Sequence, residues 1–213
     1  MLAPDYKEVS RIEDAEHFSY LMICGHGYPS YLDRIKAAVE DLGGSRFNWL
    51  LVFVDAEDRS AKDRALEVEQ VILEAGCPVP FAVFVADCCA ESWLLGNRGA
   101  FARAERTPEL KSHLDFYNVV VRDPEKMPAP EGGPTRASVQ FDYLQALLRA
   151  MGRSYTKLRA GDTATPAWLG ELRRRVETKE RDGQHLQSFG AVLDFFDRLS
   201  PKPTAQEGSE RAP

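Results

Sequence analysis

Residues 49–58 read WLLVFVDAED, from Trp49 to Asp58. Six apolar residues run without a break through Val54, and three acids then arrive in four positions, at Asp55, Glu57 and Asp58. A short apolar run rich in β-branched and aromatic residues reads as a strand covered on both faces. Acids just past its end lie at the carboxyl edge of a parallel sheet, where open α/β folds keep their ligand sites. Carboxylates this close repel one another unless a cation or a proton intervenes. One reading is a divalent-metal site of the Mg²⁺ type, made of hard oxygen ligands. The other is that Asp55 caps the following helix while Glu57 and Asp58 are simply solvated.

Alternation extends outward from this strand. Upstream, Phe18–Cys24 (FSYLMIC) is a second buried-strand candidate that ends in Gly25-His26-Gly27. Tyr31, Leu32, Ile35, Val39 and Leu42 follow at helical spacing, and Gly43-Gly44 closes that helix. A glycine loop opening a helix can cradle an anion on free backbone N–H groups, so Gly25 and Gly27 are candidate phosphate contacts. His26 is either a site residue or an ordinary turn histidine. Downstream, Lys62–Ala75 reads as a helix stopped by Gly76, and Val79–Ala86 as a third strand that also ends in an acid, Asp87. The resulting β-α-β-α-β order predicts an α/β fold with a parallel sheet and right-handed crossovers. Glu91 comes just after that strand, beside Trp93, Leu94 and Leu95. An acid in such a setting is costly unless paired or metal-bound, although a first-turn acid also favours a helix dipole.

The remainder of the chain is mostly helical in pattern. Arg98–Arg106 reads as a helix, Pro108 as the start of a turn, and Phe116–Val121 as a fourth strand. Asp123–Thr135, rich in proline and glycine, marks a boundary between a core over residues 1–122 and a helical segment over 136–200 that packs on it. Three helices are expected in that segment, at Val139–Met151, Pro166–Lys179 and His185–Leu199, and residues 201–213 read as a disordered tail. Basic residues outnumber acidic ones from Arg149 to Arg181, most densely at Arg173-Arg174-Arg175, with Tyr155 and Trp168 interleaved. Such a stripe suits a nucleic-acid backbone, with an aromatic for base stacking. A charge run on a helix is equally a solvated face.

Composition narrows the classes. The net charge of −6 provides no global field for nucleic acid, though a local basic patch is compatible with it. No apolar run is long enough to span a bilayer, which argues against a membrane role. The four cysteines Cys24, Cys77, Cys88 and Cys89 form no C-x-x-C pair. Their spacing speaks against a zinc site and for a reduced, cytoplasmic protein.

Three features together resemble a known group: the strand ending in Asp-x-acid (Asp55, Glu57), the βαβ unit after it, and the Glu-x-Trp-Leu-Leu element from Glu91 to Leu95. The chain resembles the Toprim-like proteins of bacterial defence islands, specifically the small family related to RloB-like proteins. The likeness runs from about Phe18 to Leu199. It includes a tyrosine and lysine, Tyr155 and Lys157, ahead of a terminal helix opened by Ser188-Phe189. The resemblance implies a Toprim-like parallel sheet and metal-dependent chemistry at a phosphodiester. Mg²⁺ or Mn²⁺ would be held by Asp55 and Glu57, with Asp58 or Glu91 assisting. It also departs from the family pattern, since Gly25-His26-Gly27 stands where a Glu-Gly is expected. His26 is then the candidate replacement as proton carrier.

The function expected from the sequence is a metal-dependent nuclease of an anti-phage system. Its catalytic residues would be His26, Asp55 and Glu91, with Arg173, Arg174 and Arg175 positioning nucleic acid. The alternative is a catalytically degenerate module that assembles with a protein partner, such as an ATPase of a defence operon. A receiver-like domain is a third reading, which the Glu-x-Trp element and the helical segment do not fit.

Overall fold

The computed structural model describes residues 20–25, 27–157, 161–178 and 183–199. Its elements in chain order are α1 (Ser30–Leu42), β1 (Leu50–Asp55), α2 (Ala61–Glu74), β2 (Phe81–Ala86), α3 (Ala90–Leu94), α4 (Arg98–Arg103), α5 (Pro108–Phe116), α6 (Arg136–Arg149), α7 (Pro166–Glu177) and α8 (Gln187–Leu199). Short 3-10 turns occupy Pro124–Lys126 and Gly161–Ala164. The fold is mixed α/β, with eight helices and one two-stranded sheet among the described residues.

The two strands are parallel, paired from Leu50 opposite Phe81 to Asp55 opposite Ala86. One face packs against α1 and α2 through Ile35, Val39, Val52, Val68 and Ile72. The other meets α8, where Phe84, Val192 and Phe195 form a small cluster with Leu51 and Trp93 around it. Helices on both faces explain why β1 is apolar without a break from Leu50 to Val54 rather than at every second position. The largest cluster is helical. It joins Leu95, Phe101 and Leu110 to Tyr143, Leu147 and Leu172, so residues on both sides of the 123–135 loop share one core.

Side-chain caps set most of the helix starts. Ser60, Asn97, Thr107, Thr135 and Thr165 each accept a hydrogen bond from the backbone N–H three residues on. Proline follows the cap directly at Pro108 and Pro166, where its missing N–H costs nothing.

Two expected strands are not strands. Residues 20–24 join no ladder, and Tyr20, Leu21, Met22 and Ile23 are all exposed; Phe18 itself lies outside the described residues. Phe116 is the last residue of α5, and a turn replaces the expected fourth strand. Asn118 causes that turn: its side-chain oxygen accepts from the Val120 N–H, and its carbonyl accepts from the N–H groups of Val121 and Arg122. Val119 is buried, but in the helical cluster. Pro108 opens a full helix rather than a turn. The expected Arg98–Arg106 helix stops at Arg103, where the chain turns extended at Ala104. The Pro-rich loop is also less open than its composition suggests, since Pro124, Glu125 and Met127 are buried. Lys179 and the 201–213 tail lie outside the described residues.

Candidate active site

The site is built where β1 and β2 end. Asp55 is the last residue of β1, and its Oδ1 accepts the Ala90 N–H at 3.0 Å. Ser60 rather than Asp55 caps α2, accepting from the Asp63 N–H, so the cap reading of Asp55 does not hold. The strand partner leaves the sheet through Asp87-Cys88-Cys89 into α3, which carries Glu91. Glu91 is only 3% exposed. Its Oε1 accepts a hydrogen bond from the Tyr155 hydroxyl at 3.1 Å. Asp55 and Glu91 are thereby brought together from the end of a strand and the first turn of a helix.

The electrostatics follow from that pairing. Burial, and next the Glu91 charge, push the Asp55 carboxyl up to about 6, against relief from the Ala90 N–H and from Lys157. Burial and the Glu91 carboxylate hold the Tyr155 phenol well above its ordinary range, so it remains a donor. Cys88 and Cys89 are fully buried under this floor. The hydrogen bond between them favours the Cys88 thiolate and disfavours that of Cys89. The Cys89 thiol also lies 3.1 Å from Gln140 Oε1.

A second network fixes the element that holds Glu91. Trp93 Nε1 donates to Ser188 Oγ at 2.7 Å, and Ser188 Oγ donates to the Glu125 carboxylate. The Trp93 and Phe189 rings lie 5.4 Å apart. The Glu-x-Trp element and the Ser-Phe pair, nearly a hundred residues apart in sequence, are therefore in contact. Arg136 closes the ring by donating to Asp87 at 2.9 Å and to the Glu125 carbonyl. Glu125 and Arg136 gave no signal in the sequence. One stood in a proline-rich loop that read as a boundary, the other at an unassigned helix start.

The remaining candidates among the described residues do not join the acid pair. Glu57 adopts φ 54°, its N–H bonds to the Cys88 carbonyl, and its half-exposed side chain reaches toward Arg64 at 3.9 Å. Asp58 is exposed in the turn that follows. Gly25 and Gly27 precede α1, and a Cβ on Gly25 would meet the Tyr31 Cβ at 2.6 Å. His26 lies outside the described residues.

The arginine triad separates into three environments. Arg173 grips both Asp197 oxygens at 2.8 and 2.9 Å, and Arg174 pairs with Glu171 at 2.6 Å. Arg175 is buried, and its guanidinium donates to the carbonyls of Gly96, Val119 and Arg122. It braces the core and cannot face a nucleic-acid strand, which corrects the reading of the triad as one contact patch.

No group of three or more His, Cys, Asp or Glu suited to a metal ion occurs among the described residues. Asp55 and Glu91 contribute two hard carboxylates, which fits Mg²⁺ or Mn²⁺. Such ions keep several waters and bind through one or two protein acids plus a substrate phosphate. Among the described residues, no helix is long and apolar enough to cross a membrane. Comparison with protein-family models, with curated proteins and with solved structures finds no match.

Proposed function

We propose that this chain is a metal-dependent, phosphodiester-acting protein of Toprim-like kind, with Asp55 and Glu91 as the ligands of Mg²⁺ or Mn²⁺. The observation that carries the reading is the buried acid pair itself. Two carboxylates act on one another at the carboxyl edge of a parallel sheet, and burial, followed by the Glu91 charge, raises Asp55 to about 6. A divalent ion relieves that repulsion. When bound, it would polarise the phosphodiester and stabilise the departing oxygen. Tyr155 holds Glu91 in place by its hydrogen bond, and Lys157, whose charge bears on Asp55, is a cation available for a substrate phosphate. Glu57 is set aside as a ligand because its side chain reaches toward Arg64, and Asp58 because it is exposed in the turn that follows. An anti-phage role rests on the family resemblance alone.

The competing assembly-module reading draws on one observation, that only two of the four expected acids converge. Mn²⁺ titration of the intact chain and of Asp55→Asn and Glu91→Gln separates the two. Binding by the wild type that both substitutions remove supports the metal site. Absence of Mn²⁺ binding by the wild type overturns it in favour of assembly.

A further inference from the structure

Two shelves of aromatic rings and cations adjoin the acid pair. On the α1–α2 side, Tyr28 is 47% exposed. The guanidinium carbon of Arg64 lies 4.7 Å from its ring centroid and that of Arg59 at 5.9 Å. Arg64 is itself held rigidly, donating to Glu67 at 2.6 Å and to the Tyr31 hydroxyl at 3.1 Å. The shelf adjoins the sheet end through Glu57, two residues after Asp55, which meets Arg64 at 3.9 Å. On the α6 side, the Phe141 and Tyr155 rings lie 6.0 Å apart, and the Lys157 ammonium sits 5.7 Å over Phe141. Tyr155 and Lys157 are the same residues that reach Glu91 and act on Asp55.

From this arrangement we infer that the ligand is a single-stranded nucleic acid, laid across the carboxyl edge of the sheet with a base on Tyr28. The inference rests on the phosphodiester reading and deepens it. Aromatic faces bind bases that are free of a partner strand, whatever their identity. A duplex presents its bases already stacked, so these shelves offer it little. The cations suit the intervening phosphates, with Lys157 and Arg59 the exposed ones. So few positive groups, in a chain of net charge −6, make stacking the larger part of affinity. The logarithmic salt slope should be no steeper than about −2.

The test is fluorescence anisotropy with labelled (dT)12, (U)12 and a 12-base-pair DNA duplex. It is read on the full-length Asp55→Asn protein, where neither bound metal nor cleavage is needed. A failure here is thus distinct from a failure of the Mn²⁺ titration. The expected result is tighter binding of one or both single strands than of duplex. Adding Tyr28→Ala should weaken it roughly 5- to 100-fold, while Tyr28→Phe leaves it unchanged. No binding of either single strand overturns the inference, as does duplex binding of equal or greater affinity, or a Tyr28→Ala protein that binds like its parent.

Discussion

At the scale of single residues, Asp55 governs what pH does to this protein. A carboxyl raised from its ordinary 3.8 to about 6 by burial and by Glu91 binds its proton more tightly folded than unfolded. Its contribution to stability is therefore complete below about pH 4 and is lost as pH rises through 6. Asp55→Asn removes the ionisation while keeping an oxygen for the Ala90 N–H. Without metal, the variant should be more stable than the wild type at pH 7.5, by on the order of 2–3 kcal/mol. The advantage should vanish near pH 4. Urea denaturation at the two pH values checks both the sign and the window. Metal affinity should run the opposite way, rising through pH 6 as the competing proton leaves.

Single residues also mark where sequence reading stopped. Asp55 and Glu91 stood out because each acid followed or interrupted an apolar run, and burial made both unusual. Glu57 stood beside Asp55 as an expected ligand, with Asp58 assisting. The left-handed backbone at Glu57 is set by the turn into α2, and no local pattern announced it.

At the scale of elements, the charge run in α7 illustrates the same limit. Three consecutive arginines project about 100° apart around a helix, so they could not share one face. Which one turned inward depended on the carbonyls of Gly96, Val119 and Arg122, all distant in sequence. Arg175→Ala leaves these acceptors without their donor and should cost about 3 kcal/mol or more. Arg173→Ala should leave the melting temperature almost unchanged, because it removes only exposed ion pairs, with Asp197 and Glu177. Thermal melts of the two variants side by side decide this.

Gly96, just past α3, is a second pressure point. A Cβ there would stand 2.8 Å from the Trp93 carbonyl and 2.5 Å from a Leu186 methyl. Gly96→Ala should therefore destabilise by about 1–3 kcal/mol and disturb the helix that carries Glu91. A drop in both melting temperature and Mn²⁺ affinity is expected. Helices α1 and α2 were legible from apolar spacing and glycine stops, as Gly43 after α1 and Gly76 after α2 show. The strand expected at 116–121 was not, because Asn118 turned an apolar run whose β-branched valines otherwise read as a strand.

At the scale of the whole molecule, the parallel pairing of β1 with β2 and the helices on both faces were written in the alternation of apolar runs. The balance of the core was not. Most buried apolar side chains belong to a helical cluster that reaches across the Pro-rich loop, and long-range packing of that kind leaves no periodic trace. The site depends on this packing. Tyr155 and Ser188 reach α3 only because the segment after residue 135 folds back over the sheet end. Ser188→Ala should accordingly lower Mn²⁺ affinity several-fold through Trp93, a loss that Ser188→Thr should largely restore.

The measurement that bears most directly on the account is calorimetric titration of Mn²⁺ into the wild-type protein, Asp55→Asn and Glu91→Gln at pH 7.5. One saturable site is expected in the wild type and none in either variant, with both variants folded. A wild type that binds no Mn²⁺, or variants that bind it equally well, would contradict the assignment of this acid pair as a metal site.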